Sequence, residues 1–136
     1  MKIFIDTAPF IYIVENHPEF AETAIRKIST SITNGDTLVT SVVTLMEFGV
    51  KPEREERQDI IQRFENLLEE LEIELLNIDK MLARRAYQLR AKYTFLKGMD
   101  ALQLAAALSS NCEEFVTNDI KLKKINELKV ILLREE

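Results

Sequence analysis

The stretch ALQLAAALSS, residues 101–110, presents almost nothing to water. A helix of this composition has no solvated side and must be covered on most of its faces, which makes it a central element of a layered fold. Short apolar runs flank it along the chain: KIFI at about 2–5, TLVT at 37–40, IELLNI at 73–78, FVT at 115–117 and KVILL at 129–133. Each reads as a short strand.

Helical spacing fills the intervals. Phe20, Ala24, Ile25, Ile28 and Ile32 recur at helical positions, and Asn34-Gly35 supplies a stop. Ser41 suits the N-cap of a short helix VVTLMEFG, and Ile60, Ile61, Phe64, Leu67, Leu68 and Leu71 mark another helix. Asp79 suits the cap of a helix whose Leu82, Ala86, Leu89, Tyr93 and Leu96 step by four and three, with Gly98 as its break. NDIKLKKINEL has room for one more short helix. Strands alternating with helices predict an α/β fold: a parallel sheet with helices on both faces and ligands outside the carboxyl ends of the strands. At 136 residues the chain is expected to form one domain, 1–136, with a core that needs no crosslink.

Several function classes fall away. Cys112 is the only cysteine and His17 the only histidine, which excludes an internal disulfide and a Cys/His zinc site. Gly35, Gly49 and Gly98 are too scattered for a phosphate-cradling loop. No apolar segment approaches the length of a membrane span, and Asp6 interrupts any signal-like start, so the expected location is cytoplasmic, with no membrane partner. The net charge of −5 is unevenly spread. Residues 53–74 carry nine acids against three bases, whereas 81–99 hold Arg84, Arg85, Arg90, Lys92 and Lys97 and no acid. That basic run is the candidate nucleic-acid-binding surface, and it reads equally as a solvated helical face.

Four acids stand in apolar surroundings. Asp6 ends the first strand, Glu47 lies in TLMEFGV, Asp100 opens the apolar helix, and Asp119 follows the FVT strand by two residues. Singly, each has an ordinary explanation: Asp6, Asp100 and Asp119 as helix or turn caps, Glu47 as a solvent-facing side chain. The predicted topology brings three of them to one edge of the sheet and can set Glu47 beside them. Two carboxylates about 4 Å apart repel by roughly 4 kcal/mol at an effective dielectric near 20. Such a group takes up protons or a cation, and oxygen-only ligands select Mg²⁺ or Mn²⁺. A carboxylate-held ion of this kind suits phosphoryl chemistry. Thr7, Thr117 and Asn118 are candidate supporting residues for water or phosphate.

The motifs in order resemble the PIN-domain family, and within it the small VapC-like toxin ribonucleases. IDTAPFIYIVE resembles the first motif with Asp6, SVVTLMEF the second with Glu47, KGMDALQLAAAL the third with Asp100, and FVTNDIKL the fourth with Thr117 and Asp119. Two positions depart from the family pattern: Ala8 where a polar residue is common, and Gly98-Met99 where a proline often precedes the third acid. The resemblance implies a three-layer α/β/α sandwich around a parallel sheet of four to five strands. It also implies Mg²⁺- or Mn²⁺-dependent cleavage of an RNA substrate, a homodimer, and a cognate antitoxin whose peptide lies across the acidic site. On this reading Asp6 and Asp100 are direct metal ligands, Glu47 positions ion or water, and Asp119 supports a second ion. The alternative is a catalytically silent metal- or RNA-binding interaction module of the same fold.

Overall fold

In a computed structural model describing residues 1–136, β1 (Lys2–Ile5) is the middle strand of a five-stranded parallel sheet. After it come α1 (Thr7–Val14), α2 (Ala21–Thr33), β2 (Thr37–Ser41), α3 (Val42–Arg54), α4 (Gln58–Glu70) and β3 (Glu74–Leu76). The second half holds α5 (Lys80–Lys92), α6 (Gly98–Ser109), β4 (Glu114–Thr117), a 3-10 helix (Ile120–Lys124), β5 (Lys129–Leu132) and a final 3-10 turn (Leu133–Glu135). The spatial order is β3-β2-β1-β4-β5, every pair parallel. The chain therefore winds outward from β1 to β3, then crosses to β4 on the other side of β1.

The period-2 geometry of a strand sends successive side chains to opposite faces, and here both faces are apolar. Phe4, Val39, Phe115, Val130 and Leu132 pack against α5 and α6, including Leu89, Leu104 and Ala105. Ile3, Ile5, Leu38, Val116 and Ile131 face the other way, toward Phe10, Ile28, Phe48 and Phe64 from α1 to α4. The outcome is the three-layer sandwich. ALQLAAALSS is buried as its composition requires: Ala101, Leu104, Ala105 and Ala107 have no exposed surface.

Three local expectations are corrected. The helix expected to reach Leu96 ends at Lys92, and Gly98 is the first residue of α6 and not the break before it. Leu96 is nevertheless buried, from the connecting loop, which is why its spacing mimicked a helical position. Asp100 is accordingly the third residue of α6 and not its N-cap, a position held by Lys97. The helix expected over VVTLMEFG runs on to Arg54 through Pro52, which is buried where Phe48 and Pro52 share the inner side of the helix.

Phe4 and Phe115 are register partners on β1 and β4, their rings parallel with centroids 5.1 Å apart and both fully buried. Phe115→Ala is expected to cost about 3–5 kcal/mol, read as a lower urea midpoint with an unchanged slope.

Candidate active site

Strand order reverses between β1 and β4, and an open α/β sheet has a crevice at such a switch point. Asp6 stands immediately after β1, and its backbone N–H donates to Val116 O at 2.9 Å, which extends the β1–β4 ladder by one residue. The side chain is thereby set on the rim of the crevice with little freedom. Thr117 closes β4 beside it, Asn118 and Asp119 follow, Glu47 comes from the second turn of α3, and Asp100 from the first turn of α6. These six residues, with Thr7, Ala8, Ile11 and Tyr12, line one open cleft of about 490 Å³. All four acids and the three supporting residues singled out from the sequence are thus brought together.

Asp6 is buried and accepts from three donors. Thr7 N–H and Gln103 Nε2 donate to its Oδ1 at 2.8 and 3.3 Å, and Thr117 Oγ donates to Oδ2 at 2.8 Å. The hydroxyl of Thr7 donates to Glu47 Oε1 at 2.6 Å. Asp119 Oδ1 accepts from Lys121 N–H at 3.0 Å, capping the 3-10 helix, while its own N–H donates to Thr117 Oγ. Asn118 is fixed at the rim: Arg134 N–H and Nε both donate to its Oδ1 at 3.0 Å, and its Nδ2 donates to Tyr12 Oη at 3.2 Å. Asp6 and Asp119 are therefore caps and cleft residues at once.

Electrostatic crowding shows in two of the acids. Burial pushes the Asp6 carboxyl up to about 6; the bonds from Thr117 and Thr7 oppose that rise, and the charges of Asp100 and Glu47 add to it. Asp100 is held above the usual carboxylate range by burial and then by Asp119 and Glu47, with Lys97 and Lys121 pulling the other way. No three of the carboxylates form a ready-made ligand cage. The donor set suits a hard ion that keeps much of its water, because Mg²⁺ is commonly held by one or two carboxylates with waters completing an octahedral shell.

The basic run divides. Lys97 stands close enough to Asp100 to act on its charge, and Lys121, not singled out from the sequence, does the same. Arg90 Nε donates to Leu96 O at 3.1 Å and Lys92 pairs with Glu127 at 3.0 Å, while Arg84 and Arg85 are exposed on α5; none of the five lines the cleft. Sequence reasoning also passed over Gln103 and Tyr12. The signal for Gln103 was present, as the single amide in an otherwise apolar stretch.

A carboxyl raised to about 6 in the fold against about 3.9 unfolded binds its proton more tightly when folded, so it costs stability as pH rises through that window. In metal-free protein, Asp6→Asn is expected to add roughly 3 kcal/mol at pH 7.5 and only about 1 kcal/mol at pH 4.5. Urea unfolding of both proteins at the two pH values measures it.

A family model for the PIN domain matches residues 3–128. No curated protein matches the chain. Among solved structures, the VapBC2 complex of Rickettsia felis bound to a promoter DNA fragment contains a similar chain, with a TM-score of 0.80, 19% identity and coverage of 97% of this chain and 98% of that one. A chain of the DNA-bound VapBC of Salmonella typhimurium has a TM-score of 0.77 and 21% identity, covering 98% of each. VapC20 of Mycobacterium tuberculosis, described as a sarcin-ricin loop cleaving toxin, has 0.72 and 14%, covering 93% and 98%. PIN and VapC proteins include nucleases, and PIN nucleases generally use divalent metal ions. With the match extending from the first strand to the residue before the last strand, this chain belongs to the PIN-domain family.

Proposed function

We propose that the chain is a Mg²⁺- or Mn²⁺-dependent endoribonuclease, the VapC-like toxin of a toxin–antitoxin pair. The observation that carries this reading is the cleft itself, where Asp6, Glu47, Asp100 and Asp119 meet from four separate segments with hydroxyl and amide groups between them. Asp6 and Asp100 are the direct ligands in this proposal, Glu47 orients ion or water, and Asp119 supports a second ion. When bound, the metal supplies charge neutralisation at the scissile phosphate and lowers the pKa of a water.

The chain's own groups hold the rest in place. Thr7 presents Glu47, Thr117 presents Asp6, and the Asn118 side chain is bound by Arg134 and Tyr12 so that the rim keeps its shape. Lys97 and Lys121 stand where an RNA backbone entering the cleft needs cations. Tyr12, on the cleft wall, is better placed to meet a base than Tyr93 or Phe95, which pack on each other and on the core. An antitoxin partner is proposed on the likeness to chains from VapBC complexes, and a homodimer with it. The exposed Met46 and Val50 of α3 and Met99 of α6, near Glu47 and Asp100 in sequence, are apolar surface for a protein partner to cover.

Asp100→Asn is expected to lower RNA cleavage by about 100-fold or more, some 3 kcal/mol of barrier, while the melting temperature shifts by only about 2 °C. Asp100 is not the cap of α6, so little stability depends on it. Cleavage of a mixed RNA pool is expected to stop with EDTA and to return with Mn²⁺. Equal cleavage by wild type and variant would assign the activity elsewhere. Binding of Mn²⁺ and RNA without cleavage would favour the silent interaction module.

A further inference from the structure

Gln103 lies one helical turn beyond Asp100 on α6 and is 1% exposed, so neither substrate nor partner reaches it. Its neighbours decide which way the amide points. Asp6 Oδ1 only accepts, so the nitrogen faces it, donating at 3.3 Å; the same nitrogen donates to Thr44 Oγ at 2.7 Å. On the other side, Ser41 Oγ already accepts from Val43 N–H, which leaves its proton to be donated to Gln103 Oε1. The amide is thereby keyed in one orientation.

Thr44 extends the connection. Its hydroxyl oxygen lies 2.8 Å from Thr40 Oγ, whose proton is donated to the carbonyl of Ile5, and 3.3 Å from Thr7 Oγ, the donor to Glu47. No buried side-chain nitrogen or oxygen in the protein is left without a partner. We infer that Gln103 is a positioning residue: it ties the Asp6 carboxylate directly, and Glu47 through Thr44 and Thr7, to the helix that carries Asp100, holding three acids at a fixed spacing.

Burying an amide in an apolar layer is costly unless every bond is made, and an aliphatic residue at the same place would avoid that cost. The polar group is placed where α6 crosses the carboxylate, which is where orientation matters. Removing a group that orients a metal ligand typically weakens binding 10- to 100-fold. The inference rests on the metal-dependent reading above, and the experiment separates the two.

The test is Mn²⁺ binding to the full chain, read from the free-ion electron paramagnetic resonance signal, alongside thermal melting. Gln103→Met keeps the length and loses the donor; Gln103→Asn keeps the amide and withdraws it by one methylene. Both are expected to weaken Mn²⁺ binding about 10-fold or more. Ile28→Ala, on α2 in the opposite layer, is expected to lower the melting temperature without changing Mn²⁺ affinity. Folded Gln103 variants that bind Mn²⁺ within about twofold of wild type overturn the positioning role. Failure of both to fold overturns it too, since the amide is then structural. Absence of Mn²⁺ binding by the wild type defeats the metal reading itself, and the inference with it.

Discussion

A charged carboxylate at the end of a buried central strand is the constraint around which this molecule is arranged. Asp6 sits between two apolar layers that solvate it poorly, and three donors compensate only in part: a backbone amide, the hydroxyl of Thr117 and the amide of Gln103. Those donors come from α1, the end of β4 and α6, so satisfying one side chain fixes three elements relative to each other. Burial, with the charges of Asp100 and Glu47, still raises the proton affinity of Asp6 despite those donors. A cation meeting that deficit would bind most strongly where the fold is least comfortable without it, the usual relation between strain at a site and its use.

Capping and function share residues here for a geometric reason. In a parallel sheet each strand delivers the chain to the same edge, and the next helix starts there with unsatisfied N–H groups and the positive end of its dipole. Short acidic side chains are the natural caps for such starts. Asp6 caps α1 and Asp119 caps the 3-10 helix, while Asp100 stands in the first turn of α6. Their gathering at one cleft follows from topology, because the switch point puts the ends of β1 and β4 side by side and the first turn of α6 reaches the same cleft. The helix starts also offset part of the repulsion among the acids.

Much of this was legible from residues in order. The five apolar runs became the five strands, and the apolar helix became one with six buried residues between Ala101 and Ala107. Local pattern failed where a buried residue belonged to a loop: Leu96 fits a helical step from Leu89 and Tyr93, yet the helix stops at Lys92 and Leu96 reaches the core from the connection. The same misreading moved the start of α6 and made Asp100 look like a cap. The basic run illustrates a different failure, since charge content says nothing of pairing; Lys92 is occupied by Glu127, thirty-five positions away, and Arg90 by a loop carbonyl.

What the sequence by itself determined is which segments must be buried and which carry chemistry. Apolar period, strand length and turn residues act within a few positions and can be read there, and the four acids stand out because each interrupts such a run. Only the tertiary structure decided their mutual arrangement. That Gln103 meets Asp6, that Tyr12 lines the cleft, and that Lys121 joins Lys97 beside Asp100 depend on which strands pair and how α6 crosses them. Those contacts join residues far apart in the chain, and a long-range hydrogen bond or charge interaction leaves no periodic trace in the segments that make it.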